Sequence, residues 1–75
     1  MAALDPVLRK LGENVRAKRE TRKLSQEKLA ELADLDRTYI SGIERGARNP
    51  TILSTLRIAK ALKTSVAELC ESIDR

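Results

Sequence analysis

Two short helices joined by a tight turn constrain this chain more than any other feature of its sequence. Residues 26–45 read QEKLAELADLDRTYISGIER. Ser25 and Asp36 each stand where a side-chain oxygen can accept a hydrogen bond from the first turn of a helix. They predict one helix over about residues 25–33 and a second over about residues 36–45.

Each helix of this pair has one apolar face, which predicts that the two helices pack against each other. The apolar residues of the first helix are Leu29, Ala30 and Ala33, and those of the second are Ile40 and Ile43. The turn between them must be sharp, and Asp34 suits it because Asp tolerates a left-handed backbone. The polar face of the second helix and its edge carry Arg37, Thr38, Tyr39, Ser41 and Arg45.

Three further helices are predicted, so the expected fold is an all-α bundle of five helices. Asp5-Pro6 begins a helix that runs to about residue 21. Its apolar stripe consists of Leu8, Leu11 and Val15. Thr51 caps a helix over residues 52–62, whose inward side chains are expected to be Ile52, Leu56, Ala59 and Leu62. A capping box of Ser65 and Glu68 begins a last helix over about residues 66–73.

The composition limits the chemistry that the chain can perform. His is absent and Cys70 is the single cysteine, which argues against a disulfide, a zinc site and Cys–His or Ser–His catalysis. No glycine-rich phosphate loop is present. We therefore expect no enzyme activity, no metal, no cofactor and no small-molecule ligand. Cys70 is expected to be a small buried hydrophobe.

The charge balance favours a polyanionic partner. Lys and Arg total 15 against 11 Asp and Glu, a formal net charge of +4. The 75 residues are enough for one domain, 1–75, whose small core would gain stability from oligomerisation. No signal peptide or long apolar run is evident, so we expect a cytoplasmic protein without membrane association.

The helix pair and the residues after it match the sequence pattern of a known family of protein domains. The matching residues are Gln26, Leu29-Ala30, Leu35, Ile40-Ser41, Ile43-Glu44, Gly46 and Asn49-Pro50, then Leu56, Ile58-Ala59 and Ala61-Leu62. Over about residues 8–70 the chain resembles the helix-turn-helix domains of the phage repressor and Cro class. Within that class, LDRTYISGIERGARN is most similar to the controller proteins of restriction–modification systems.

The resemblance implies a lambda repressor-like fold and a sequence-specific transcriptional regulator. Such a regulator is expected to bind double-stranded DNA as a homodimer, at an inverted repeat near its own promoter, with RNA polymerase as a candidate further partner. Two residues depart from the family pattern, since Lys23 and Asp34 stand where glycine is usual. Each is expected to add backbone strain on the order of a kcal/mol.

The start of the second helix of the pair is the expected base-reading surface, because an α-helix fits the major groove with its first residues at the base edges. Arg37 has a planar fork of donors that matches O6 and N7 of guanine. Thr38 can donate a hydrogen bond to a base and place its methyl group against thymine. Ser41 lies one turn further on the same face.

Six other residues are expected to bind phosphate, which gives affinity and register but not sequence choice. They are Arg19, Gln26, Tyr39, Arg45, Arg48 and Asn49. Gln26 opens a helix, where an amide and free N–H groups can hold an anion. The family resemblance implies that Arg19 pairs with Glu44 and is thereby oriented toward a phosphate.

The last helix is the expected dimerisation element. Its apolar residues and one from the preceding helix form the predicted interface: Leu53, Val66, Leu69 and Ile73. Val66 and Leu69 are also expected to complete the monomer core, and the alternative for Ile73 is a frayed end with a stray apolar side chain. The acidic tail suits a protein interface better than DNA.

A protein-interaction module of the same fold, such as an antitoxin-like or antirepressor partner, is the alternative function. An exposed apolar groove and a neutral outer face on the second helix of the pair would favour it. The charged, hydroxyl-bearing outer face of that helix favours DNA instead.

Overall fold

Five α-helices and no strands make up the described part of the chain, residues 5–74 of the computed structural model. The helices are α1 (Pro6–Thr21), α2 (Gln26–Ala33), α3 (Arg37–Glu44), α4 (Ile52–Ala61) and α5 (Val66–Leu69). α3 packs against α1 and α2, while α4 packs against α2 and α5. The predicted all-helical architecture with a helix-turn-helix is therefore confirmed, with α2 and α3 as its two helices.

Each helix begins at a side chain that accepts a hydrogen bond from the backbone N–H two or three residues later. These caps are Asp5, Ser25, Asp36, Thr51 and Ser65. All five were expected from the sequence, because a short side chain with an oxygen acceptor at these positions satisfies an N–H group that has no partner within the helix.

The turns that separate the helices use left-handed backbone. Lys23 has φ of 58° and Asp34 of 57°, as expected from the sequence, and Gly46 follows α3 with φ of 75°. At Lys23 and Asp34 the absence of glycine costs about 1–2 kcal/mol each. Lys63 and Ser72 adopt the same conformation, which the sequence did not indicate.

The core is aliphatic and draws on all five helices. It consists of Leu11, Val15, Leu29, Ala30, Ala33, Ile40, Ile43, Ile58, Ala59, Leu62 and Leu69. Gly12 lies where α1 crosses the end of α3. A Cβ at Gly12 would overlap the backbone oxygens of Ile43 and Glu44, the latter at 2.6 Å. The lack of a side chain at Gly12 therefore brings α1 against the backbone of α3.

The expected inward face of α4 is wrong at two of its four positions. Ile52 and Leu56 are 76% and 37% exposed, whereas Thr55 and Ile58 are buried with Ala59 and Leu62. Thr55 enters the core because its hydroxyl donates a hydrogen bond to the backbone oxygen of Thr51 at 2.8 Å, so no polar group is left unsatisfied. The helix thereby turns its first aliphatic side chains toward solvent.

The predicted extent of the last helix is also wrong, since α5 ends at Leu69 and the chain continues in turns to residue 74. The amide of Asn14 donates to the backbone oxygens of Leu69 and Glu71 at 2.8 and 2.9 Å, and Ser72 has φ of 64°. The side chain of Asn14 takes the place of further helical hydrogen bonds and fixes the C-terminal segment on α1.

Leu69 is fully buried in the monomer core, so its predicted place in a dimer interface is wrong. The expectation that it completes the core is confirmed. Val66 and Ile73 are half-buried and pack on the same core, and Leu53 is 57% exposed.

Candidate nucleic-acid interface

The first turn of α3 presents the predicted base-reading residues. Asp36 accepts a hydrogen bond from the N–H of Thr38 at 2.7 Å, and this bond lowers the pKa of the Asp36 carboxyl group. Arg37 and Thr38 are exposed immediately after this cap, and half-buried Ser41 lies one turn further on. The capped start of α3 therefore holds three hydrogen-bonding side chains on one outward face.

A buried carboxylate at the C-terminal end of α3 ties this helix to α1. Glu44 accepts from Nε of Arg19 at 2.7 Å and from its Nη2 at 3.0 Å, and the side chains of Arg19 and Glu44 are only 12% and 3% exposed. The hydrogen bond to Glu44 raises the pKa of Arg19. The predicted pairing of these two residues is present in the structure.

Gln26 joins the same carboxylate, which the sequence did not indicate. Its Nε2 donates to Oε1 of Glu44 at 3.0 Å, so Glu44 receives hydrogen bonds from both α1 and α2. We call Arg19, Gln26 and Glu44 the Glu44 network. Arg19 also donates to the backbone oxygen of Leu24 at 2.7 Å, which fixes the turn that precedes α2.

The Glu44 network borders an open cleft at the junction of the first three helices. The cleft has a volume of about 470 Å³, and its lining residues are Arg19, Ser25, Gln26, Glu27 and Arg37. Two expected phosphate-binding residues and one expected base-reading residue thus lie along one surface. Three of the five N–H groups of Arg19 donate hydrogen bonds within the protein, so at most two remain to bind a phosphate.

Two further residues expected to bind phosphate, Tyr39 and Arg48, contact each other. The guanidinium carbon of Arg48 lies 5.7 Å from the centroid of the Tyr39 ring, a cation–π distance. The aliphatic part of Arg48 covers Gly42, where an added Cβ would lie 2.5 Å from Cγ of Arg48. Gly42 therefore shapes this part of the surface, and only its small size could have signalled that role.

The remaining residues expected to bind phosphate, Arg45 and Asn49, are exposed in and after the end of α3. The two ends of α3 thus both carry cations on the surface. Among residues 5–74 no group of three or more acidic or cysteine side chains is placed to hold a metal ion. No helix in that range combines the length and the apolar composition needed to cross a membrane.

Comparison with known proteins identifies the family. A helix-turn-helix family model matches residues 15–69. The chain is 52% identical over 59 residues to the control protein C.SmaI of Serratia marcescens, covering 79% of this chain and 70% of that protein.

Solved structures give the same result. The restriction-modification controller protein C.AhdI from Aeromonas hydrophila is 45% identical, with a TM-score of 0.81 over 83% of this chain and 94% of that one. The controller protein C.Esp1396I, solved as a tetramer in complex with its natural 35 base-pair operator, is 42% identical, with a TM-score of 0.79 over 89% of this chain and 88% of that one. The chain belongs to the helix-turn-helix family of transcriptional regulators and, within it, to the restriction–modification controller proteins.

Proposed function

We propose that this protein binds an inverted-repeat operator as a homodimer, with the outer face of α3 in the major groove of each half-site. The observation that carries the proposal is the exposed pair Arg37 and Thr38 at the capped start of α3, a helix that the Glu44 network ties to α1 and α2. A helix fixed in this way presents its side chains without first ordering its own backbone.

In this proposal Arg37 reads guanine and Thr38 and Ser41 contact neighbouring bases. The fork of Arg37 matches the two acceptors of guanine in the major groove, and such a bidentate contact discriminates by about 1–3 kcal/mol. Thr38 offers both a hydroxyl and a methyl group, and Ser41 offers a hydroxyl one turn further along α3. The operator sequence then follows from these side chains and from the shape of the DNA.

The phosphate contacts flank α3 on two sides. On one side are Arg19 and Gln26, both already oriented by Glu44. On the other side are Tyr39, Arg45, Arg48 and Asn49. Removing one of these cations is expected to weaken binding to all sequences alike and to reduce the slope of log affinity against log salt by about one.

The structure supports a dimer face that differs from the one the sequence suggested. Three exposed aliphatic side chains lie together in the first half of α4, where Ile52, Leu53 and Leu56 are 76%, 57% and 37% exposed. We call these three residues the α4 patch, and we propose that it forms the centre of the dimer interface, with half-buried Val66 and Ile73 at its edge. Apolar side chains grouped on one surface mark a site of association.

A two-fold dimer would place the two copies of α3 about 34–36 Å apart, one turn of duplex. One domain of this size offers roughly 600–1,000 Å² to DNA, so two copies are needed for a specific site. The relative C.Esp1396I was solved as a tetramer on its operator. We propose that this protein acts in the cytoplasm at its own promoter, where its position relative to RNA polymerase decides between activation and repression.

A binding-site selection with the purified full chain and random duplex DNA tests the proposal. The expected result is a selected sequence with dyad symmetry and guanine at a fixed position of each half-site, which the Arg37→Ala variant no longer selects. A selected sequence without dyad symmetry would contradict the dimer, and no enrichment at any salt concentration would contradict operator binding.

A further inference from the structure

A second concave surface lies between α2 and α4 and shares no residue with the cleft beside Arg37. It is a shallow groove of about 500 Å³. We call it the basic groove and define it by Leu32, Asp34, Arg57, Lys60 and Lys63. None of these residues takes part in the proposed DNA contact.

The charge of the basic groove is not neutralised within the described chain. Arg57, Lys60 and Lys63 are all exposed, and none of them takes part in an ion pair among residues 5–74. The single carboxylate in the lining belongs to Asp34. Three cations around one carboxylate leave a net positive surface that an anionic partner would complement.

The wall of the groove is also apolar. Leu32 is 51% exposed on α2, and two alanines on α2 and α4 line the groove beside it. A single exposed leucine is ordinary on a protein surface. Here, however, the leucine lies inside a concavity rimmed by cations, so a ligand has to combine carboxylates with an apolar group to use both features.

We propose that the basic groove binds an acidic segment of a partner protein, with carboxylates near Arg57 and Lys60 and one bulky apolar side chain against Leu32. The proposal does not depend on operator binding. It describes a protein contact that the regulator can make while the outer face of α3 is occupied.

Nucleic acid is a poorer match for this groove. A phosphate backbone has no apolar group to cover Leu32, and the carboxylate of Asp34 repels it. In the proposed complex, α2 meets DNA at Gln26, and Leu32 lies six residues along the helix, about 9 Å from that end. The groove thus lies at the end of α2 opposite Gln26.

A second copy of this chain is also a poorer match. Its acidic tail carries Glu71 and Asp74, but Ile73 between them is half-buried against its own core. The apolar part of the tail is therefore already engaged within the monomer, which leaves Leu32 without a complement.

Three short synthetic peptides of equal length test the proposal against the ¹⁵N-labelled full chain. The first has Glu and Leu on one helical face, the second has Glu and Ser, and the third has Lys and Leu. We expect the Glu–Leu peptide to shift the amide resonances of residues 32–34 and 57–63, and the Glu–Ser peptide to bind about tenfold more weakly. The Lys–Leu peptide should not bind.

Variants of the protein provide the matched control. Leu32→Ser alone, and Arg57→Glu combined with Lys60→Glu, should each weaken binding of the Glu–Leu peptide by about tenfold. Arg16→Glu reverses an exposed cation on α1, outside the groove, and should leave peptide binding unchanged. Circular dichroism of each variant checks that the helices are retained. Because Leu32→Ser removes no charge, the two groove variants test the apolar wall and the positive charge of the groove separately.

Several results would overturn the proposal. Equal binding of the Glu–Leu and Glu–Ser peptides would mean that the peptide imitates DNA at α3, and so would changes of amide resonances confined to residues 37–41. If the Glu–Leu peptide does not bind at all, the groove is not a site for an acidic segment. A reduced salt slope of DNA binding in the Arg57 and Lys60 variant would assign the groove to phosphate. Tight binding of a peptide of residues 65–75, together with loss of self-association in the groove variants, would assign it to a second copy. Failure of operator selection leaves these readouts intact, so the two proposals fail separately.

Discussion

In the first half of the molecule, one buried carboxylate joins three helices, whereas the second half is held mainly by aliphatic packing. Glu44 accepts three hydrogen bonds from Arg19 and Gln26, and α1 lies against the backbone of α3 at Gly12. In the second half, α4 contributes Ile58 and Leu62 to the core but leaves the α4 patch in solvent.

The two halves differ in whether the contacts that hold them are directional. Hydrogen bonds to a buried carboxylate are satisfied in one geometry only, so they fix the position of α3 relative to α1 and α2. Aliphatic packing is not directional, and the apolar surface that remains on α4 can be buried by another chain. The first half therefore fixes the helix that we propose to read DNA, and the second half leaves exposed the aliphatic surface that we propose for the dimer interface.

The largest expected effect is on the Glu44 network. Arg19→Ala or Glu44→Ala should each lower the free energy of unfolding by about 3 kcal/mol, because the other charge is left buried without its partner. The double variant should lose less than the sum of the two single losses, as measured by urea unfolding of all four proteins. Additive losses would mean that the pair does not specify the position of α3.

A smaller loss is expected at Gly12. Gly12→Ala should lower the free energy of unfolding by about 1–3 kcal/mol, because a Cβ there overlaps backbone oxygens of α3 that cannot rotate away. Ala17→Gly, at an exposed site of the same helix, should cost only about 1 kcal/mol through helix propensity. Thermal unfolding of the two variants compares them, and a Gly12→Ala protein more stable than wild type would show that α1 and α3 are not in close contact.

The α4 patch should respond in the opposite manner, with little loss of stability and a clear loss of association. Leu53→Asp should weaken self-association at least about tenfold. Its free energy of unfolding as a monomer should change by less than about 0.5 kcal/mol, since Leu53 is exposed. Val7→Asp changes an exposed aliphatic residue outside the patch and serves as the control in sedimentation equilibrium. Unchanged sedimentation of the Leu53→Asp protein would remove the α4 patch from the interface.

The smallest expected effect is the pH dependence of the cap of α3. The hydrogen bond from the Thr38 N–H lowers the pKa of Asp36 in the folded state. The charged cap therefore stabilises the fold at pH values above the ordinary Asp pKa. This stabilisation is lost as the pH falls through the lowered pKa of the folded state. Asp36→Asn keeps an acceptor but does not titrate. The difference in unfolding free energy between wild type and Asp36→Asn should be constant from pH 5 to 7 and shrink below about pH 4. A difference that does not change with pH would mean that the carboxylate charge at the cap contributes nothing.

Local signals made the first half of the fold predictable. Ser25 and Asp36 indicated where α2 and α3 begin, and the family resemblance indicated the Arg19–Glu44 pair. These features depend on residues close in sequence or on a known pattern. The contact of Gln26 with Glu44 was not predicted, because it depends on how two helices cross in space.

The second half was predicted less well because aliphatic side chains do not reveal which of them face inward. The helical periodicity predicts Ile52 and Leu56 in the core, although the structure exposes them and buries Thr55. A threonine hydroxyl that donates to the preceding turn is satisfied in the core, and periodicity alone does not show this. The early end of α5 has a similar origin, since it depends on the amide of Asn14, some 55 residues away.

We propose that the start of α3 selects the DNA sequence while the cations around it supply affinity. The most direct test measures the affinities of wild type, Arg37→Ala and Arg45→Ala for the selected operator and for random duplex at one salt concentration. We expect Arg37→Ala to lose about 1–3 kcal/mol of binding free energy on the operator and little on random DNA, whereas the loss of Arg45→Ala should be equal on the two DNAs. Equal losses of Arg37→Ala on operator and random DNA would contradict a base-reading role for this residue.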